Sequence, residues 1–407
     1  MGKTVAIIGA LDTKGEDYQY IKREIEKCGH QTLVVNTGVL GEPLFKPDIS
    51  ADEVARAGNS SLQELRKVAD KSFAMSVMTK GIAVVIKELY QQGKIDAGFS
   101  MGGSNGTMIG TAGLQALPLG IPKVMVSTVA SGDTQPYIGI SDIVMIPSIL
   151  DVAGVNRISA KIYSNAVGAI VGMLESEVPP IKTKPLITAT MFGNTTTLVN
   201  QCQKILENQG YEVLVFHATG AGGKTMESLI DQGYITGGVL DVTTTELADE
   251  LAGGVLSAGP TRMEAAAKWA LPQVIAPGCL DMVNFWGPAT VPDKYKDRLF
   301  YYWNDNITLM RTTPEENEKL GRILAEKANR SKGETAIFLP MQGVSELDAP
   351  GKEFWWPEAN QALFSTIKKY TKPNIPIYEL DCNINDARFA EAVTSKLMEM
   401  IRNEDDE

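Results

Sequence analysis

Gly102-Gly103-Ser104-Asn105-Gly106 could do two incompatible kinds of chemistry. The five residues satisfy G-x-S-x-G, the strained turn that presents a serine nucleophile in esterases. The same glycines would leave backbone N–H groups bare at a helix start, as a phosphate requires. A serine nucleophile needs a base, and the chain holds only two histidines, His30 and His217. In the usual hydrolase order the histidine follows the nucleophile, so His217 would have to serve Ser104 from the far half of the chain. No HGGG-like oxyanion segment is present. Thr107 adds a hydroxyl where the next helix begins. A phosphate cradle is the preferred reading, with a plain tight turn as the structural alternative.

Other residues invite a chemical reading. Ala218 to Thr225, "ATGAGGKT", is one residue short of a P-loop, because Ala218 stands where the first glycine belongs. It predicts a simple anion contact through Lys224 rather than a second nucleotide site. Asp12-Thr13-Lys14 follows the first strand and could hold ribose hydroxyls, phosphate or a metal; Asp12 could equally cap a helix. His217, Asp241, Glu246 and Asp281 each fall near a strand end and form a candidate acid/base or substrate-holding set. Their structural alternative is helix capping by "DVTTTE" and a hydrogen-bonded histidine.

Such groups need elements to position them. "TVAIIG" reads as a strand, Glu16 to Cys28 as a helix, and "QTLVVN" as the next strand. Further helices are predicted over Phe73–Gln91, Thr107–Leu117 and Val152–Leu174, with strands at "AGFSM", "PKVMVS" and "IVMIP". This alternation predicts an α/β protein with doubly wound, Rossmann-like sheets. Ser176 to Pro185 carries three prolines and reads as a linker, giving an N-terminal domain over residues 1–180 and a C-terminal domain over 181–407. Cys28–Gly38 is echoed by Asn208–Gly220, and Leu119–Asp133 by Trp269–Asp281. Either the same plan is used twice or all βαβ units simply look alike. Two such halves predict a ligand cleft between them, lined by residues just beyond the strand ends.

The 407 residues are 44% hydrophobic and 21% charged, with a formal charge of -11. That balance disfavours nucleic acid and anionic membrane surfaces as partners. No apolar run reaches a bilayer-spanning length, and no leader precedes the first strand, so a cytoplasmic protein is expected. Cys28, Cys202, Cys279 and Cys382 form no CxxC pair and predict buried thiols rather than a metal site.

"DTKGED", "MGGSNGT", "LPLGIPKVMVSTVASGDTQPYIGISDI", "TMFGNTTT", "GGVLDVTTTELADEL", "GCLDMVNF" and "LMRTTPEEN" together resemble the tomato mosaic virus resistance protein family nearly end to end. The resemblance implies a two-domain region that binds ATP in its first domain. Carried over by motif, the contacts would be Asp12, Thr13, Lys14, the turn Gly102, Gly103, Ser104, Asn105, Gly106 and Thr107, then Ser127, Thr128 and Asn156. Lys71 would stand where the family has arginine, keeping the charge without the bidentate geometry. Asn105 replaces a second glycine, and Trp303-Asn304 stands where a histidine is usual. Lys224-Thr225 replaces Arg-Ala, which makes the P-loop match accidental. Plant members continue into a TIM barrel. That barrel is expected to be absent here, or supplied by a separate partner protein.

The sequence therefore leads to an ATP-binding protein, with Mg²⁺ accompanying the phosphates, that acts on a small-molecule substrate, with a homo-oligomer expected. ATP-dependent transfer or ligation is the leading class. A non-catalytic nucleotide-dependent binding protein is the second, and a serine hydrolase using Ser104 the third.

Overall fold

The apolar run Thr4–Gly9 forms β1, and the amphipathic segment behind it, Gly15–Lys27, forms α1. The computed structural model describes residues 2–405. The alternation continues through β2 (Gln31–Asn36), α2 (Ala51–Ala57), α3 (Leu62–Val68), α4 (Lys71–Gln91), β3 (Ala97–Gly102) and α5 (Ser104–Gln115). It ends with β4 (Lys123–Ser127), α6 (Gln135–Ile138), β5 (Val144–Pro147) and α7 (Ser159–Glu175). The five strands form one parallel sheet in the order β2-β1-β3-β4-β5. Successive residues of β1 serve opposite layers. Val5 and Ile7 pack in a core with Ile21 of α1 and Ile170 of α7, while Ala6 and Ile8 pack with Ile82 of α4 and Leu114 of α5. A strand buried on both faces must be apolar throughout, and that is why it reads as an unbroken run.

Ser176–Pro185 has no regular structure. Beyond it come β6 (Leu186–Met191), α8 (Thr196–Asn208), β7 (Glu212–His217), α9 (Ala221–Asp231), β8 (Gly238–Thr243), α10 (Glu246–Ala252) and α11 (Ala265–Lys268). Next are β9 (Gln273–Gly278), β10 (Met282–Phe285), β11 (Phe300–Asn304), β12 (Ile307–Arg311), α12 (Pro314–Ala328), β13 (Thr335–Pro340), α13 (Pro357–Tyr370), β14 (Ile377–Leu380) and α14 (Ala387–Asp405). Six strands pair in parallel in the order β14-β13-β9-β8-β6-β7. The chain divides into two compact units, Met1–Pro180 and Ile181–Glu407.

Counted outward from the first strand of each unit, β2-β1-β3-β4-β5 and β7-β6-β8-β9-β13 follow the same order. The segments that echo each other in sequence occupy matching places. Cys28–Gly38 contains β2 and Asn208–Gly220 contains β7, while Leu119–Asp133 contains β4 and Trp269–Asp281 contains β9. The same doubly wound plan is used twice.

Four features depart from expectation, the last being Cys28, which was expected to be buried. The helix expected over Thr107–Leu117 begins at Ser104, so the glycine turn is itself the helix start. The one expected over Val152–Leu174 begins at Ser159, because Gly154 is left-handed at φ +93° and Asn156 Oδ1 accepts from the backbone N–H groups of Ile158 and Ser159. An antiparallel three-stranded sheet, β10-β12-β11, is added to the second unit. Cys28 is exposed just past the end of α1, while Cys202, Cys279 and Cys382 are buried. Among the described residues no helix is long and apolar enough to cross a membrane.

Candidate functional site

In the first unit the chain leaves β1 for β2 on one side and returns to β3 on the other. Loops that diverge in this way leave a crevice at the carboxyl ends of the strands. A cavity of about 890 Å³ opens there. Asp12, Thr13 and Lys14 line it from the loop after β1, Thr37 and Gly38 from the loop after β2, and Gly102 to Gly106 from the end of β3 and the start of α5. Arg66, Asp70 and Lys71 line it from the corner between α3 and α4. An apolar wall is supplied by Leu65, Ala74, Met75, Met78 and Ile109.

The start of α5 is uncapped. Gly103 is extended, no side chain caps the helix, and the first backbone bond runs from Thr107 N–H to Gly103 O at 2.8 Å. Among the described residues the N–H groups of Ser104, Asn105 and Gly106 therefore have no acceptor. Such donors, together with the positive end of the helix, attract an anion. A Cβ placed on Gly103 would meet nothing closer than Thr128 Oγ1 at 3.8 Å. One on Gly102, at φ +159°, would stand 3.0 Å from Gly106 Cα. The turn thus needs glycine at 102 for its own shape, and glycine at 103 only to leave the approach clear.

Buried polar groups hold the loops in place. Asn36 Oδ1 accepts from Leu11 N–H at 3.0 Å and Gly38 N–H at 2.9 Å, joining the loops after β1 and β2. The Tyr18 hydroxyl donates to Met101 O and accepts from Met101 N–H. Burial pushes that phenol up to about 12, so it stays a neutral strut. Asp12 does not cap α1; its Oδ2 accepts from Leu40 and Gly41 N–H at 2.8 and 3.0 Å. Arg66, absent from the sequence reading, donates to Val39 O and Gly41 O and fastens the same loop from the other side.

The structure does not bring every expected contact to this cavity. Thr107 and Ser127 are fully buried and bonded to each other at 2.6 Å, and Thr107 also donates to Gly103 O. They shape the turn from behind. The Asn156 side chain is spent on the start of α7. Thr128 is exposed, its N–H donating to Gly102 O at 3.2 Å beside the turn. Nor, among the described residues, does Ser104 have a histidine beside it in its own unit. His30 lies before β2, where its Nδ1 accepts from Lys3 N–H and its Nε2 is 3.6 Å from Glu175. That is the amino end of the sheet, opposite Ser104.

The four candidates of the second unit do not form one acid–base set. Arg262, fully buried, binds Asp241 through Nη1 and Nη2 at 2.6 and 2.7 Å and Glu246 through Nε at 2.5 Å. The other Glu246 oxygen accepts from Gly220 and Gly223 N–H at 2.8 and 3.1 Å. The near-P-loop is therefore an anion-binding helix start whose anion is the chain's own Glu246. The backbone donors of this loop are therefore taken, while the Lys224 side chain is exposed. Arg262 lies in "GPTRME", and nothing in that segment signals it as the counter-ion of two carboxylates more than ten residues away. Asp281 sits in a different buried network, accepting from Ser345 Oγ at 2.8 Å. Burial first, and the Asp348 carboxylate second, push its pKa up. His217 ends β7 with its side chain exposed.

Residues 3–179 match the family model described as "Uncharacterised protein family (UPF0261) N-terminal domain", and residues 184–401 match the corresponding C-terminal domain. A UPF0261 protein of Clostridium tetani is 52% identical over 98% of this chain and 100% of its own. The chain belongs to the UPF0261 family. A UPF0261 protein of Mesorhizobium japonicum is 42% identical over 97% of the chain and 98% of its own. ToMV resistance protein Tm-1 of Solanum lycopersicum is 40% identical over 81% of the chain, a match that takes in 45% of the tomato protein. The resemblance carried by the sequence motifs is thus homology, and this UPF0261 chain corresponds to less than half of the plant relative's length.

Proposed function

We propose that the first unit of this UPF0261 protein binds an adenine nucleotide, ATP foremost, in the cavity between the ends of β1 and β3. The observation that carries the reading is the meeting of three things in one cavity: an uncapped helix start, two lysines and an apolar wall. The N–H groups of Ser104, Asn105 and Gly106 would take phosphate oxygens, with Lys14 and Lys71 as point charges. Met75, Met78 and Ile109 offer a surface on which a flat base can lie. Mg²⁺ would accompany the phosphates, with Asp151 lining the same cavity. Among the described residues no group of three or more His, Cys, Asp or Glu is placed to hold a metal by itself.

A second reading also has a specific observation behind it. Asp241 and Glu246 are both bound by the buried Arg262, so two of the four candidate acid/base groups are committed to structure. That favours a protein that binds nucleotide without making or breaking bonds over an ATP-dependent transferase or ligase. Equilibrium dialysis with radiolabelled ATP, followed by phosphate release with and without a pool of small metabolites, tests both. Saturable ATP binding without phosphate release supports the binding protein. Phosphate release that depends on one metabolite supports the enzyme, and no saturable binding removes the nucleotide altogether.

A further inference from the structure

Among the described residues, the carboxyl edge of the second sheet presents four buried side-chain oxygens without a hydrogen-bond partner. They are Asn194 Oδ1, Thr245 Oγ1, Asp281 Oδ1 and Asn284 Oδ1. Each of these residues is at least 99% buried: Asn194 is 1% exposed, and Thr245, Asp281 and Asn284 are 0% exposed. Asn194 follows β6, Thr245 follows β8, Asp281 follows β9, and Asn284 lies in β10 just beyond it. Because β6, β8 and β9 are successive neighbours, the loops that leave them meet at one edge. That edge includes the switch point of the second sheet, the counterpart of the cavity in the first.

Direct contacts tie the loops together. Thr195 Oγ1 and Thr243 Oγ1 are 2.8 Å apart, and Asn194 Nδ2 reaches Met282 Sδ at 3.4 Å. Asn284 Nδ2 donates to Asp249 Oδ2 at 2.7 Å. With both amide nitrogens engaged, each asparagine turns its free oxygen elsewhere. Cys279, between β9 and Asp281, is left-handed at φ +57°, a conformation a non-glycine residue holds only when its surroundings impose it.

The chemistry of the four atoms restricts what could satisfy them. The two amide oxygens only accept, a threonine hydroxyl can accept as well, and the Asp281 carboxyl, pushed toward its neutral form by burial, becomes acceptor-only once a cation stands beside it. A partner must therefore donate. It should also be positive. Asp281 and Asp348 share a single buried cation, Arg311, whose Nη2 lies 3.4 Å from Asp348. The other N–H groups of that arginine go to Phe354 O, Thr312 Oγ1 and Asn360 Oδ1. The half-exposed Trp303 ring lies beside Gly193, the residue before Asn194.

We infer that the second unit holds a site for the primary ammonium group of a small molecule, received by Asn194, Thr245, Asp281 and Asn284. This inference does not rest on the nucleotide reading of the first unit. The probe is methylammonium chloride, titrated into the full chain without nucleotide, with sodium chloride exchanged to keep ionic strength constant. Binding is read from the line width of ¹³C-labelled methylammonium. Wild-type protein should show saturable binding. Asp281→Asn should weaken it at least tenfold, and Asn194→Ala, which leaves the carboxylate in place, should also weaken it. If Asp281→Asn fails to fold, Asn194→Ala and Thr245→Val decide. Absence of saturable binding to wild type overturns the site, as does unchanged binding in the folded variants. Displacement by potassium chloride as effective as by unlabelled methylammonium overturns the assignment to a hydrogen-bond donor.

Discussion

The starts of α5 and α9 are made of the same materials and end up in opposite states. Each follows a strand, each is rich in glycine, and neither has a side-chain cap from its own N-cap residue. At α5 the bare N–H groups face a cavity of about 890 Å³. At α9 the Glu246 carboxylate fills that role and is itself held by Arg262. A glycine-rich helix start leaves bare N–H groups in both units, and in the second unit the chain supplies the anion itself. The better P-loop match lies at the filled site and the poorer one at the open site. Glycine spacing reports the backbone shape, and what stands opposite decides whether a ligand can use it.

The largest effect should come from unmaking the filled site. Arg262→Ala leaves Asp241 and Glu246 buried without their cation, a change that typically costs about 3–5 kcal/mol. Denaturant unfolding should show the transition of the second unit lost or moved to much lower urea. An unchanged transition would mean that the carboxylates are not held as described.

A smaller effect follows from crowding the same site. A Cβ on Gly223 would fall 2.3 Å from Glu246 Oε2, closer than packed atoms approach. Gly223→Ala should therefore destabilise the protein by roughly 1–3 kcal/mol. At the open site Gly103 has no such neighbour, and Gly103→Ala should cost only the several tenths to about 1 kcal/mol that alanine costs at a helix N-cap. Equal losses for the two variants would erase the contrast between the units.

Removing one positive charge from the open site should weaken nucleotide binding without altering the fold. Lys14→Ala and Lys71→Ala should each cost about 1 kcal/mol, roughly fivefold in affinity, because both groups are at least partly solvated. Affinities identical to wild type would place the phosphates elsewhere.

The subtlest effect is a slope. Asp249 accepts from Asn284 and Leu256 N–H, yet burial pushes its pKa from 3.8 up to about 7. The folded state then keeps a proton that the unfolded chain has already released, so stability should fall as pH rises between about 4 and 7. Urea midpoints taken across that range should decline, and Asp249→Asn should flatten part of the decline. A parallel decline in the variant would assign it to other carboxyls.

Much of the architecture is legible in the sequence. Parallel strands buried on both faces announce themselves as apolar runs, and the linker announces itself by proline. The doubled plan showed in the echo of Cys28–Gly38 by Asn208–Gly220. The site was only partly legible. Asp12, Thr13, Lys14 and the glycine turn could be gathered because each directly follows a strand of the switch point. Lys71 does not, and only the family resemblance pointed to it. Thr107, Ser127 and Asn156 share that neighbourhood in sequence but spend their side chains on the backbone and on one another. Polar residue type does not distinguish a ligand contact from a strut. Arg262 was missed because its partners are set by tertiary packing, and a lone arginine in a Gly/Pro-rich stretch carries no periodic signal. The antiparallel β10-β12-β11 sheet was missed because β11, "FYYWN", is largely exposed rather than an apolar run, and β10 follows β9 with no helix between them to mark a new strand.

The central claim is that the open start of α5 is a phosphate site, and calorimetric titration of ATP into wild type and Gly103→Val tests it most directly. Valine at 103 fits the extended backbone and meets no protein atom at its Cβ closer than 3.8 Å, so the fold should survive. Its side chain would occupy the approach to the N–H groups of Ser104, Asn105 and Gly106. Wild type should bind ATP saturably, and the folded variant should lose at least about 1.4 kcal/mol, roughly tenfold in affinity. Equal affinity in the two proteins, with circular dichroism and urea midpoints unchanged, would contradict the account.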